Sequence, residues 1–181
     1  MKKLKIGLLG RGQIGNGVYQ LLYAKKSVLK QKTGVELDLV RVVEKNKARK
    51  RLMKSGFSEF GTDASSVLND PEINAVIELI GGIHPAKELI LKALRLGKDV
   101  ITANKALLAE CGREIFGEAK RLGRQVFCEA SVGGGIPVIK ALREGLIANK
   151  ISSIHSIING TSNYILTKMT EENIGFDEAL Q

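Results

Sequence analysis

The sequence predicts an α/β protein built on a doubly wound parallel sheet with helices on its faces. Three observations lead to this prediction. Strand-like apolar runs alternate along the chain with segments of helical periodicity, an order that favours parallel strands joined by right-handed crossovers. The strand-like runs are nearly continuous in Val, Ile and Leu, which is typical of strands buried on both faces. A glycine motif stands where the first strand passes into the first helix.

The first strand is predicted over residues 4–9, and the motif Gly-x-Gly-x-x-Gly follows at Gly10, Gly12 and Gly15. Apolar residues then recur at helical spacing to residue 32. In this context the motif is typical of a Rossmann-type dinucleotide site. Gly10 permits the tight turn, Gly12 lets a pyrophosphate approach the backbone, and Gly15 lets helix and strand pack closely. The N-terminus of the helix offers free N–H groups to the phosphates.

The next elements follow from apolar runs bounded by capping residues. Asp63 is placed to cap a short helix, Pro85 stands at a helix start, and Gly97 is placed to end that helix. The pattern predicts a strand over 35–43, a helix over 45–55, a short helix over 63–68, a strand over 75–80 and a helix over 85–96.

The same reasoning covers the remainder of the chain. Glycine at 112 predicts a break in the fourth long helix, and Gly123 is placed to end that helix. The pattern predicts a strand over 99–102, a helix over 105–122, a strand over 125–128, a helix over 137–147, a strand over 151–158 and a helix over 162–172. We expect a dinucleotide-binding domain over 1–133, followed over 134–181 by the beginning of an incomplete substrate domain of α/β type.

Composition limits the classes of protein to be considered. Lysine and arginine number 28 against 19 acidic residues, but aromatic residues are 4% of the chain and do not interleave with the basic run at 45–54. Nucleic-acid binding through base stacking is therefore poorly supported. No apolar stretch reaches the roughly 20 residues of a membrane span. Residues 1–3 lead directly into the first strand, and Cys111 and Cys128 lack metal-site spacing. We expect a cytoplasmic protein without a signal peptide, a nucleic-acid partner or a membrane partner.

The end of the second strand bears on the choice of cofactor. An acidic residue at this place in a Rossmann unit holds the ribose hydroxyls of NAD, whereas basic residues accommodate the 2′-phosphate of NADP. Glu44 stands at the strand end and is followed at once by Lys45 and the basic run. Binding of NAD through Glu44 and binding of NADP through the basic run both stay open, and the basic run favours NADP. Alternatively, Glu44 forms a surface ion pair with Lys47 or Arg41.

Three further polar turns follow predicted strands. Asn104 and Lys105 come directly after the strand over 99–102, where a lysine can donate a proton to a carbonyl. Three successive glycines over 133–135 indicate close approach of a ligand to the main chain, with phosphate and cation both possible. Gly160 and Thr161 begin a helix, where Thr161 or the next serine caps the helix or contacts a polar substrate.

Taken together, these stretches resemble the homoserine dehydrogenase family. The matching segments run in the family's order along the whole chain: KIGLLGRGQIGNGV at 5–18, IELIGGIHPA at 77–86, VITANKALL at 100–108, EASVGGGIPVI at 129–139 and IINGTSNYIL at 157–166. Each segment alone is a weak signal, but the set is specific.

The resemblance implies roles for particular residues. It implies a catalytic role for Lys105, which would lie near both the nicotinamide and the substrate oxygen. It implies a substrate-contacting turn at Gly160 and Thr161. The implied cofactor residues are Gly10, Gly12, Gln13, Ile14, Gly15, Glu44, Lys45, Gly81, Gly82, Asn104 and Lys105. The implied carbonyl ligands of a monovalent cation, usually sodium, are Glu129, Val132, Gly134 and Ile136.

The resemblance also implies the reaction, which is the NAD(P)H-dependent interconversion of L-aspartate 4-semialdehyde and L-homoserine by a homodimer. This step serves the biosynthesis of threonine, methionine and isoleucine. The family's acidic substrate-binding residues and second lysine lie beyond the equivalent of Gln181, so a poorly active fragment is expected. Three alternatives stay open: another semialdehyde dehydrogenase, which needs an activated thiol, a non-catalytic NAD(P)-sensing module, and a basic nucleic-acid-binding domain.

Overall fold

Six parallel strands form the sheet of the first of two units. The structure is a computed structural model that describes residues 2–53, 58–157 and 159–181, with the backbone alone for 50–52. The two units are Met1–Ile139 and Lys140–Gln181. The strands are β1 (Lys2–Leu9), β2 (Val35–Val43), β3 (Glu59–Gly61), β4 (Ala75–Glu78), β5 (Asp99–Thr102) and β6 (Val126–Phe127). Their order is β3-β2-β1-β4-β5-β6, which is the order of a Rossmann fold and confirms the predicted class.

Four helices and two 3₁₀ turns accompany these strands. The helices are α1 (Gln13–Thr33), α2 (Ser65–Leu68), α3 (Ala86–Arg95) and α4 (Lys105–Leu122), and the 3₁₀ turns cover Lys47–Leu52 and Glu129–Ser131. No helix among the described residues combines the length and the apolar character that crossing a membrane requires.

Apolar side chains fill both faces of the sheet because neighbouring residues of a strand point to opposite sides. Leu9 and Val76 belong to a buried cluster with α2, α3 and α4, whereas Leu8 and Ile77 belong to a second cluster with Tyr19 of α1. Helices therefore cover both faces, and the sheet is doubly wound. This burial fixes the strand ends, from which the site loops project.

The second unit contains short helical segments. After α5 (Val138–Lys140), which spans the boundary, a π-helical stretch covers Ala141–Gly145, and α6 (Gly160–Glu171) and α7 (Phe176–Ala179) follow. The predicted strand over 151–158 is wrong for residues 151–157, which form no strand, and residue 158 lies outside the described residues. A strand needs a partner for its backbone hydrogen bonds, and the described part of this unit offers none.

Three predictions for the first unit differ from the structure in detail, and one strand was missed. Of the helix expected over 45–55, residues 54 and 55 lie outside the described residues, and the rest contains only the shorter 3₁₀ turn Lys47–Leu52, in which Arg49 is hydrogen-bonded to Arg11 of the glycine turn. The break expected near Gly112 is absent, and α4 runs through it because one buried glycine costs only about 1 kcal/mol in a helix. The strand expected over 75–80 ends at Glu78. Strand β3 has only three residues and was not predicted.

Candidate functional site

The predicted cofactor residues of the first unit lie in loops and helix starts at one edge of the sheet. Residues 10–15 follow β1, Gly81 and Gly82 follow β4, and Asn104 and Lys105 follow β5. The strand order reverses between β1 and β4, so the connections leave on opposite faces and open a crevice at the carboxyl ends of the strands. Ligands of open α/β sheets bind in this crevice.

The glycine turn after β1 is closed by backbone contacts that exclude larger residues. Gly10 has a φ of 90° and its N–H donates to the carbonyl of Val43 at 2.9 Å. A Cβ added at Gly10 would lie 2.6 Å from the carbonyl oxygen of Leu79, and a Cβ added at Gly15 would lie 2.1 Å from the carbonyl oxygen of Gly10. The turn is therefore fixed between β4 and α1.

Gly12 differs from these two glycines because the space beside it is open. A Cβ there would meet only the guanidinium of Arg49, at 4.0 Å. Gly12 is the N-cap of α1 and provides no side-chain cap, so the first N–H groups of the helix, beginning at Gln13 and Ile14, point toward this space. A pyrophosphate fits against such a helix end, where N–H donors and the helix dipole favour negative charge.

Glu44 connects the glycine turn to the segment after β2. Its carboxylate accepts hydrogen bonds from the N–H of Arg11 at 2.9 Å, the N–H of Asn46 at 3.0 Å and the guanidinium of Arg49 at 2.8 Å. Burial opposes ionisation of this carboxylate, but the N–H donors and Arg49 outweigh burial and hold the pKa of Glu44 below its usual range. Glu44 thus pairs with Arg49 and not with Lys47 or Arg41; Arg41 pairs with Glu59 and Asp70.

Arg11, within the glycine turn, has a structural role that sequence reasoning missed. Its side chain is 1% exposed and stacks on the ring of Tyr19 at 4.1 Å. Its guanidinium donates to the carbonyl of Arg49 at 3.0 Å, and the guanidinium of Arg49 donates back to the carbonyl of Arg11 at 2.6 Å. Burial lowers the pKa of Arg11. The pair fixes the basic segment beside the glycine turn.

A cavity of about 420 Å³ opens between the glycine turn and the end of β2. Its volume lies in the range of small-molecule sites, about 300–1,000 Å³. Its lining combines apolar residues of α3 and of the loop after β4 with charged residues of the segments after β2 and β3. The lining residues are Gly10, Gly12, Val43, Glu44, Lys45, Arg49, Thr62, Asp63, Ala64, Leu79, Ile80, Pro85 and Leu89.

A second cavity, of about 300 Å³, lies on the other side of the glycine turn. Its lining residues are Gly12, Gln13, Ile14, Leu79, Ile80, Gly81, Ala103 and Asn104. The two cavities share Gly12, Leu79 and Ile80, so together they form a groove along the carboxyl edge with the helix N-terminus at its middle. The fold thus brings most of the predicted cofactor residues together.

The loop after β5 is held by Asn104. Its side-chain oxygen accepts from the N–H of Leu107 at 3.2 Å and caps α4, while its side-chain nitrogen donates to the carbonyl of Gly82 at 2.6 Å. Lys105 is the first residue of α4 and is exposed. Its backbone N–H donates to the carbonyl of Ala103 at 3.1 Å. Its side chain makes no hydrogen bond or ion pair with the part of the chain that the structure describes, so its ammonium is available to a ligand.

A buried pair behind the second cavity was also missed. Glu78 is 0% exposed and accepts a hydrogen bond from the hydroxyl of Thr102 at 2.7 Å. The available signal was a charged residue inside the apolar run 75–80, since buried carboxylates need partners. The partner was not predictable because 24 residues separate the two side chains.

The glycine-rich loop after β6 adopts a tight conformation. Gly133 and Gly134 have φ values of 70° and 60°. Glu129 begins a 3₁₀ turn, and its side chain accepts from the N–H of Ile139 at 3.0 Å. The cation ligands expected at Glu129, Val132, Gly134 and Ile136 stay a prediction. Within the described residues, no cluster of three or more His, Cys, Asp or Glu side chains is arranged to hold a metal.

In the second unit, Gly160 and Thr161 form the first turn of α6 and are exposed. The cap is neither Thr161 nor Ser162. Asn159 caps the helix by accepting from the N–H of Ser162 at 3.0 Å. The substrate contact expected at Gly160 and Thr161 stays a prediction.

Comparison with known proteins gives a consistent result. A family model described as "Homoserine dehydrogenase, NAD binding domain" matches residues 10–129, and one described as "Homoserine dehydrogenase" matches residues 137–181. The chain is 39% identical to homoserine dehydrogenase of Bacillus subtilis over 181 residues, and 42% identical to that of Pseudomonas aeruginosa over 180 residues. These alignments cover 100% and 99% of this chain but 42% and 41% of the relatives.

Solved structures give the same result. The crystal structure of a homoserine dehydrogenase from Thiobacillus denitrificans superposes with a TM-score of 0.90 at 44% identity, covering 99% of this chain and 41% of that chain. Homoserine dehydrogenase of S. aureus at pH 7.5 superposes with a TM-score of 0.80 at 34% identity, covering 99% and 42%. The chain therefore spans less than half the length of the proteins that it matches.

Proposed function

Because the chain belongs to the homoserine dehydrogenase family, we propose that it binds NAD(P) along the carboxyl edge of its sheet and contributes this part of a homoserine dehydrogenase. The observation that carries the proposal is the groove of two cavities joined at Gly12. The pyrophosphate would lie on the N-terminus of α1, the adenosine beside Glu44 and the nicotinamide beside Asn104.

We propose that the site prefers NADPH to NADH. An ionised carboxylate has about four lone-pair positions, and Glu44 already uses three of them on Arg11, Asn46 and Arg49. Little capacity is left for the two hydroxyls of an adenosine ribose. Lys45 and Arg49 line the same cavity and would pair with a 2′-phosphate.

A titration followed by nicotinamide fluorescence tests both proposals. NADPH should bind more tightly than NADH, and Arg49→Ala should reduce that difference. Lys47→Ala is the matched control, since Lys47 is exposed in the same segment but does not line the cavity. Equal affinities for the two cofactors, or tighter binding of NADH, would show that Glu44 rather than the basic run governs the choice of cofactor. Binding of neither cofactor would contradict the proposed function.

In the proposed reaction, the bound cofactor supplies a hydride to the carbonyl carbon of aspartate 4-semialdehyde. Lys105 would donate a hydrogen bond or a proton to the carbonyl oxygen as negative charge develops there. Its place at the N-terminus of α4 adds the positive end of a helix dipole on the same side. The hydrogen bond from the Asn104 side chain to the carbonyl of Gly82 would hold this turn in place. Lys105 would thereby stay beside the nicotinamide half of the groove.

We further propose the remaining parts of the family's chemistry. Gly160 and Thr161 would contact the substrate, and the carbonyls of Glu129, Val132, Gly134 and Ile136 would hold a monovalent cation, which we assign as sodium. An oxygen-only ligand set suits such a hard cation and disfavours a transition metal. A crystal grown in sodium should contain an ion within coordinating range of several of these carbonyls. Carbonyls that point apart in such a crystal would overturn the cation proposal. The complete enzyme would be a cytoplasmic homodimer serving threonine, methionine and isoleucine synthesis.

A further inference from the structure

A buried carboxylate lies behind the nicotinamide half of the groove and takes no part in the chemistry described above. Glu78 ends β4 and is fully buried. Its side chain accepts three hydrogen bonds: from the hydroxyl of Thr102 at 2.7 Å, from the N–H of Ile80 at 2.8 Å and from the N–H of Gly81 at 3.3 Å. Two of these donors belong to residues that line the second cavity.

The hydrogen bonds continue from Glu78 into the neighbouring loop. The hydroxyl of Thr102 donates to Glu78 and accepts from the N–H of Asn104 at 3.0 Å. Asn104 in turn donates from its side chain to the carbonyl of Gly82 at 2.6 Å. The network therefore closes a ring that joins the loop after β4 to the loop after β5. Both loops border the space proposed for the nicotinamide.

The use of a charged group at this position has a physical consequence. A carboxylate only accepts hydrogen bonds, so Thr102 must donate to Glu78 and must present its lone pairs to Asn104. Glu78 thus sets the direction of the one hydrogen bond in the ring whose donor is a rotatable hydroxyl, because the other donors are N–H groups that can only donate. Burying a carboxylate is unfavourable unless donors surround it. The described part of the chain supplies two N–H groups and a hydroxyl to Glu78, all of them from the loops or strand ends at the groove.

We propose that Glu78 is a positioning residue for the nicotinamide half of the cofactor, an inference that rests on the proposed NAD(P) binding. It acts through Gly81 and Asn104 and does not itself line the groove. The first cavity is lined by four charged residues, Glu44, Lys45, Arg49 and Asp63, and among the described residues none of their side chains hydrogen-bonds to this network. Loss of Glu78 should therefore weaken binding of the nicotinamide end more than binding of the adenosine end.

The test compares two ligands on the same variants. The affinity for NADPH depends on contacts along the whole groove. The affinity for 2′-phospho-ADP-ribose, which lacks the nicotinamide, depends only on contacts with the rest of the groove. Glu78→Ala should raise the Kd of NADPH about tenfold, the scale of one lost hydrogen bond to a charged group. The Kd of 2′-phospho-ADP-ribose should change by about twofold or less. Glu78→Gln keeps an acceptor for the two N–H groups and should recover most of the NADPH affinity.

Two further variants separate positioning from general loss of stability. Thr102→Val removes the hydroxyl with little change of volume, and it should reproduce the selective loss even where Glu78→Ala fails to fold. Ile90→Val weakens the buried core of α3 and should leave both affinities unchanged. The inference would be overturned if Glu78→Ala or Thr102→Val raised the Kd of both ligands equally. It would also be overturned if neither variant raised the Kd of NADPH. Failure of the unsubstituted chain to bind either ligand would instead contradict the proposed function.

Discussion

Gly15→Ala tests whether close packing of helix and strand holds the glycine turn. The added methyl would lie 2.1 Å from the carbonyl oxygen of Gly10 and 3.0 Å from its carbonyl carbon. Both are backbone atoms, and the N–H of Gly10 is tied to Val43. Since no flexible side chain can move aside, α1 itself must shift away from β1.

The expected magnitude follows from a matched substitution on the same helix. Gly17 is exposed in α1 and a Cβ there meets nothing within 4 Å. Gly17→Ala should therefore stabilise the protein by about 0.5–1 kcal/mol through helix propensity. Gly15→Ala gains the same propensity term but adds overpacking of about 1–3 kcal/mol, at the upper end because backbone atoms clash. For a chain of this size, about 3 kcal/mol between the two variants is about 6–12 °C in Tm.

Thermal unfolding of the two variants and nicotinamide fluorescence titration provide the measurements. Gly15→Ala should unfold at a lower temperature than Gly17→Ala and bind NADPH more weakly, because its helix N-terminus no longer meets the phosphates. Gly17→Ala should bind as the unsubstituted chain does. A Tm for Gly15→Ala equal to or above that of Gly17→Ala would refute the packing argument.

Three further substitutions are predicted to have measurable effects. Arg121 and Arg95 lower the pKa of Glu118 to about 2. The ionised carboxylate therefore stabilises the folded protein above pH 4.5, and this contribution is lost as the pH falls toward 2. Glu118→Gln should flatten the pH dependence of urea unfolding over that range. Asn104→Ala should cost about 0.5–2 kcal/mol in urea unfolding as a lost helix cap, and serine there should restore most of it. In the complete enzyme, Lys105→Ala should lower kcat about a hundredfold or more with the Kd of NADPH little changed, and a near-normal kcat would remove Lys105 from the mechanism.

Local patterns in the sequence were sufficient to predict the first strand, turn and helix of the first unit. Strand β1, the glycine turn and helix α1 were predicted within a few residues of their observed bounds. Each depends on neighbours in the chain, through alternation of apolar runs, glycine spacing and helical periodicity. The same local signals placed Asn104 and Lys105 at a strand end, and therefore at the carboxyl edge of the sheet.

The tertiary structure decided which residues distant in the chain interact with each other. The sequence suggested Arg41 or Lys47 as the ion-pair partner of Glu44. In the structure the partner is Arg49, which is held beside Glu44 by its hydrogen bonds with Arg11. The pairing of Glu78 with Thr102 depends on the register of β4 against β5, in which these two residues stand opposite each other.

The sequence by itself determined the class of the fold, the glycine turn and the family to which the chain belongs. Only the tertiary structure decided the strand order, the residues that share each cavity and the absence of a strand over residues 151–157. The physical reason is the range of the interactions. Turn chemistry and amphipathic periodicity act over a few residues, whereas strand pairing and buried hydrogen bonds form only when separate segments pack together.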